Sequence, residues 1–140
     1  MLDRPDALSG YWVKFGLRFL DAVPDEDRAR TAIDALASQL DADGSLPVEG
    51  GTADERLTPL ALSPTPGLRS RALFSPDQIA ADLDALEAAQ QDDGGWTFDW
   101  LAWSPGQSVE WRGAVTFQAL ATLEAHQRLR FPPNREAISR

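Results

Sequence analysis

The stretch Gln90-Gln91-Asp92-Asp93-Gly94-Gly95-Trp96 decides how this chain is read. It separates two segments of helical periodicity, and a weaker copy lies 50 residues earlier, at Asp43-Gly44. An Asp-Gly pair after an apolar-periodic run marks a helix stop, because glycine tolerates the left-handed conformation. The stretch is therefore first a statement about folding.

The helix before it has the clearest start in the sequence. Ser75-Pro76-Asp77-Gln78 supplies an N-cap serine, proline at the first helical position and a glutamine that completes a capping box. Ile79, Leu83 and Leu86 form its apolar stripe, and Gln90 continues that face, which predicts a helix over 76–92 with Gly94 just past its end. Downstream, Trp96-Thr97-Phe98-Asp99-Trp100-Leu101-Ala102-Trp103 holds three of the five tryptophans and suits a short turn-rich loop. A last helix is expected over 109–129. Trp111, Val115, Ala119 and Leu123 share one face, while Phe117, Leu120 and Ala121 lie opposite, the pattern of a helix buried between neighbours.

The first half reads similarly. A helix over 7–22 carries Tyr11, Trp12, Phe15, Phe19 and Leu20 at mostly three- and four-residue spacings, and Pro24 stops it. Asp25 caps a second helix over 25–42, with Glu26 and Asp27 in its first turn, Ala29, Ile33, Leu36 and Leu40 on one face, and Asp43-Gly44 at its end. Residues 45–67 contain Pro47, Pro59, Pro64, Pro66, Gly50 and Gly51, which speaks against a regular helix and for a surface-packed or functional loop. A short helical turn is expected over 68–74. One helical-repeat domain over 1–131 and a frayed tail over 132–140 complete the expectation.

Internal comparison ties these segments together. At an offset of 50, Ile33-Asp34-Ala35-Leu36 overlays Leu83-Asp84-Ala85-Leu86, and Asp43-Gly44 overlays Asp93-Gly94. Gly16-Leu17-Arg18 recurs as Gly67-Leu68-Arg69, and Leu17, Leu20, Asp21 and Ala22 match Leu120, Leu123, Glu124 and Ala125. Each unit would be a helix, an Asp-Gly turn and a returning helix. The phase suggests either a piece of a longer repeat protein or a ring completed by self-association, since stacked hairpins need neighbours.

Composition narrows the functional classes. The 140 residues include no cysteine and one histidine, His126, which removes thiolate chemistry and a histidine-rich metal centre. A formal charge of −9 disfavours nucleic acid and anionic membranes. No apolar run reaches the length of a membrane span, and Met1-Leu2-Asp3-Arg4-Pro5-Asp6 does not look like a signal peptide, so a cytoplasmic location is the default. Of 13 basic residues only Lys14 is lysine, a bias that fits a GC-rich bacterial genome.

With its Leu-x-x-Leu helix before it and Thr116-Phe117-Gln118-Ala119-Leu120-Ala121-Thr122-Leu123 after it, the pattern Gln-x-x-x-Gly-Gly-Trp of residues 90–96 resembles the repeat of terpenoid cyclases and prenyltransferase β subunits. That repeat includes the QW motif of squalene-hopene cyclases. The good match covers roughly 76–126 and a degenerate one 25–46. The resemblance implies an all-α fold of αα-hairpin repeats, a partial or oligomer-completed α/α toroid. It also implies that Gln90, Gly94, Gly95 and Trp96 are structural, the glutamine amide bonding helix-end backbone under the indole. The family's chemistry does not carry over by residue. The Asp-x-Asp-Asp acid segment is missing, the zinc set lacks its cysteine, and aspartate-rich magnesium helices are absent. No metal and no cofactor are expected.

The expected function is a module that binds a hydrophobic small molecule or a partner chain beside the tryptophan-rich stretch, through Phe98, Trp100, Trp103, Trp111 and Arg112. The alternative is a metal-independent cyclase or isomerase of a polyene or similar metabolite, with Asp99 or Glu110 as proton donor and aromatic faces steadying a carbocation. Against each stands a plainer reading. The tryptophans cover the core, Glu110 sits in the first turn of its helix, Arg112 pairs with a carboxylate, and His126 is a core or edge residue. The acidic runs at Asp25 to Asp27 and at Asp82, Asp84 and Glu87 read as solvated helix faces.

Overall fold

Both capped helix starts are present in the computed structural model, which describes residues 9–48, 55–97 and 105–129, with backbone alone for 105 and 107. Asp25 accepts the amide of Arg28, and Ser75 accepts that of Gln78 while the Gln78 side chain accepts the amide of Ser75. Contacts divide the chain into two compact units, Met1–Gln90 and Gln91–Arg140.

The first unit contains α1 (Gly10–Ala22), α2 (Glu26–Leu36), β1 (Leu46–Pro47), β2 (Arg56–Leu57), α3 (Pro59–Leu62) and α4 (Pro76–Ala88). Short 3-10 segments follow α2 at Ala37–Gln39 and precede α4 at Arg69–Leu73. The second unit contains the turn after Gln90 and α5 (Pro105–Ala125). The described residues are thus mostly helical, with one antiparallel two-stranded sheet that pairs Leu46 with Leu57.

The core of the first unit gathers Val13 and Leu17 from α1, Ile33 from α2, Leu46 and Leu57 from the sheet, Leu62 from α3, and Phe74. Each such side chain contributes about 1.5–3 kcal/mol on burial. Residues 45–67 therefore supply core, contrary to the expectation of a proline-rich loop without helix. Pro59 occupies the first position of a single-turn helix, where its missing N–H costs nothing, and Thr58 caps it. Gly10 is required by close approach: a Cβ there would lie 2.8 Å from the Pro47 carbonyl oxygen.

A polar lock joins α1 to the second 3-10 segment. Asp21 accepts the amide of Ser70 at 2.8 Å and its hydroxyl at 2.7 Å, and the hydroxyls of Ser63 and Ser70 meet at 2.7 Å. Arg69 donates to the carbonyls of Leu20 and Val23, closing the C-terminal end of α1. Both serines are fully buried, and no buried side-chain polar atom among the described residues lacks a partner. Asp82 departs from the expected solvated face: it accepts the amide of Leu60 at 2.8 Å, next to the start of α3.

Helix ends differ from the sequence expectation in both halves. After α2 the half-buried Leu40 continues the apolar pattern past the last helical turn, whereas Ala89 to Asp92 after α4 are exposed. The second helix stops at Leu36, not 42, and the third at Ala88, not 92. Gly44 (φ +81°) and Gly94 (φ +87°) are left-handed, but they lie in turns several residues beyond these ends. The last helix begins earlier than 109, at Pro105, again a proline suited to a first helical position.

The side of α1 that faces the core is Val13 and Leu17, not the aromatic series. Tyr11, Trp12, Phe15 and Phe19 are all exposed. In α5, Ala119 and Leu123 are buried, whereas Val109, Trp111, Phe117 and Leu120 are exposed, so burial on two sides is not observed. No helix among the described residues is long and apolar enough to cross a membrane.

Candidate functional site

Within the second unit, the turn after Gln90 is held by its own backbone. Gln91 N–H donates to the Gly95 carbonyl at 2.7 Å, and Gly94 N–H donates to the Gln91 carbonyl at 2.9 Å. Closing a loop this tightly needs a positive φ, and Gly94 supplies it. Asp93 Oδ1 then accepts the amide of Gly95 at 3.0 Å, an Asx-type contact that stiffens the turn.

Helix α5 grips this turn from one face. Arg112 donates to Asp93 at 2.6 Å and forms an ion pair with it. One turn further along, Thr116 Oγ1 accepts the Trp96 amide at 3.0 Å and donates to the Trp96 carbonyl at 3.4 Å. Gly95 leaves room for both, since a Cβ there would meet Arg112 Nη2 at 3.2 Å and Thr116 Oγ1 at 3.3 Å. The Arg112 guanidinium, helped by the Gly95 amide, holds the Asp93 carboxyl below the usual carboxylate range.

These residues line an open depression of about 470 Å³ formed by Asp93, Gly94, Gly95, Val109, Arg112, Gly113 and Thr116. Its ionisable groups neutralise each other, and the Thr116 hydroxyl is committed to Trp96. The surface therefore offers apolar contact from Val109 and bare backbone at the glycines, with polar atoms at the edge already satisfied.

Of the expected site residues, Arg112 and the motif residues Gly94, Gly95 and Trp96 are brought together here, with Trp96 only 3% exposed. Gln90 is not on a helix face: it follows the end of α4 by two residues and is exposed. Glu110 is exposed and lies beyond the first turn of α5, which begins five residues earlier, so the dipole argument for its position does not apply. Trp111 is exposed by about half. Phe98, Asp99, Trp100 and Trp103 lie outside the described residues. His126 follows α5 and its Nδ1–H donates to the Thr122 carbonyl at 2.6 Å, as expected of an edge histidine.

Thr116 escapes sequence reasoning because nothing in the spacing from Trp96 marks a partner 20 residues away. Asp93 is readable as part of the turn, and Arg112 as the partner of a carboxylate, but not that each is the other's. Among the described residues no cluster of three or more His, Asp or Glu side chains stands ready for a metal ion. Comparison of the chain with family models, curated proteins and solved structures returned no match.

Proposed function

We propose that this chain is a helical-repeat module of the terpenoid cyclase and prenyltransferase kind, in the form of a partial α/α toroid. It binds a hydrophobic small molecule or a partner chain beside the tryptophan-rich stretch, without the catalytic motifs of that family. The observation that carries the binding reading is the depression on α5. Its charged lining groups are spent on each other, which leaves apolar contact as what it has to offer a ligand. The repeat reading draws support from the recurrence of one turn, hydrogen bond for hydrogen bond, at residues 41–45 and 91–95. Phe98, Trp100 and Trp103 belong to the reading through their place in the sequence, directly after Trp96.

The test is titration of the protein with a linear isoprenoid alcohol such as farnesol, followed by tryptophan emission and by product analysis. A saturable emission change that weakens in Trp100→Ala and Trp103→Ala, with the alcohol recovered unchanged, is the expected result. Absence of binding at roughly 100 µM ligand would overturn the small-molecule form of the reading. Recovery of a cyclised product would instead favour the cyclase alternative, with Asp99→Asn as the decisive variant.

A further inference from the structure

Helix α1 is apolar on both of its sides. Val13 and Leu17 face the core, and the opposite arc consists of Tyr11, Trp12, Phe15, Phe19, Ala22 and Arg18. Trp12 is 74% exposed and Phe19 68%, Tyr11 stacks on Phe15 with ring centroids 6.3 Å apart, and helical spacing puts all four rings on one arc. An exposed apolar strip of this kind, rimmed by polar residues, marks an interaction surface. Its charge is the cation of Arg18, with the half-buried Lys14 beside it.

Helix α5 carries a second exposed apolar face with the opposite character. Val109, Phe117 and Leu120 stand on it, with the small residues Gly113, Ala114 and Ala121 between them. The charges on this exposed arc are Glu110 and Glu124, because Arg112 is half-buried and paired with Asp93. The two faces therefore complement each other. Large rings meet a surface of small residues, the cationic rim of one helix faces an arc whose charges are anionic, and both strips run for about 20 Å at 1.5 Å per residue.

We propose that a second copy of this chain covers the aromatic strip, laying the exposed face of its α5 along α1 of the first. The contact is head to tail. A symmetric pairing of α1 with α1 would bring two Arg18 cations into one apolar interface without a counter-charge and would leave the α5 face uncovered. In the head-to-tail form every copy keeps one face of each kind available, so association continues until a ring closes or a filament grows. Val109 and Gly113 also line the depression, so this contact and a ligand there compete for part of the same face.

Light scattering of the full chain, 15.3 kDa as a monomer, reads the outcome directly. The wild type is expected to sediment and scatter as a multiple of that mass, and Phe15→Asp with Phe19→Asp to yield monomer with unchanged helical circular dichroism. Arg18→Glu alone, and Glu110→Arg with Glu124→Arg alone, should each weaken association about tenfold. Mixing the Arg18→Glu chain with the Glu110→Arg/Glu124→Arg chain should restore it as a mixed assembly. The charge variants keep the test open if the double aspartate variant fails to fold. Wild-type monomer at roughly 100 µM overturns the proposal. So does self-association that ignores the α5 charges, or a mixture that does not recover.

Discussion

Two turns in this molecule are built alike and used differently. At residues 41–45, Asp41 N–H donates to the Ser45 carbonyl at 3.0 Å and Gly44 N–H to the Asp41 carbonyl at 2.9 Å. Asp43 Oδ1 accepts the Ser45 amide at 2.9 Å. Residues 91–95 repeat each of these contacts at the same relative position, including the left-handed glycine. An arginine seals each turn: Arg56 bonds Ser45 and Asp41, and Arg112 bonds Asp93. The two part company at the next residue. After the first turn, Leu46 enters a strand and the core; after the second, Trp96 hands its amide and carbonyl to a threonine on a helix. The backbone device is constant, and the neighbour that it presents to the chain is what varies.

Loss of the glycine separates the two turns most strongly. Gly44→Ala is expected to cost about 2–3 kcal/mol, the left-handed penalty plus crowding, because a Cβ there would meet Phe74 at 3.1 Å and Pro59 at 3.2 Å. Gly94→Ala carries the same left-handed penalty, about 1–2 kcal/mol. Urea unfolding monitored by circular dichroism ranks the two. Equal losses would mean that the first turn is not the more tightly packed.

A smaller effect tests the neighbour that belongs only to the second turn. Thr116→Val keeps the shape of the side chain but removes the acceptor of the Trp96 amide. About 1 kcal/mol should be lost, read from the same unfolding curves. The first turn has no equivalent residue to remove, since Leu46 after it is paired along a strand.

The smallest expected effect concerns acid. Hydrogen bonds from Ser45, then the field of Arg56, hold Asp43 below the ordinary aspartate range, and Arg112 with Gly95 does so for Asp93. A lowered folded-state value means that the stabilisation is present above the unfolded aspartate range and fades as pH falls through the depressed value. Both carboxylates are exposed, so solvent and salt screen most of it. Asp93→Asn should flatten the acid limb of the stability curve slightly, and high salt should erase the difference. A limb unchanged by Asp93→Asn at low salt would show that the Arg112 pair has no energetic weight.

The parts legible in the sequence are those fixed by local chemistry. Asp25 and Ser75 are readable as caps because capping involves residues three apart, and Asp93-Gly94 as a turn because only glycine suits a left-handed position. The face of α2 follows from periodicity. The exposed strip on α1 does not: rings at helical spacing look alike whether they face a core or solvent, and Val13 and Leu17 win the core because they fit against Ile33 and Leu62. The middle segment misleads because proline count hides the fact that Pro59 can start a helix and that Leu57, Leu60 and Leu62 around it are buried. Of the candidate site, the motif turn is visible and its grip by Thr116 is not, since a contact 20 residues apart leaves no trace in spacing.

Gln78 has a consequence of another kind. Its amide oxygen accepts the Ser75 N–H at the start of α4, while its amide nitrogen donates to the Ala42 carbonyl at 3.0 Å in the first turn. One side chain thus closes a helix end and a loop that lie far apart in sequence. Fraying of α4 releases the Ala42 carbonyl, and opening of the loop frees the cap, so the two are coupled into one cooperative motion. Amide protons of the first turn of α4 and of Gly44 would then exchange with solvent together, as a single small unit of the fold.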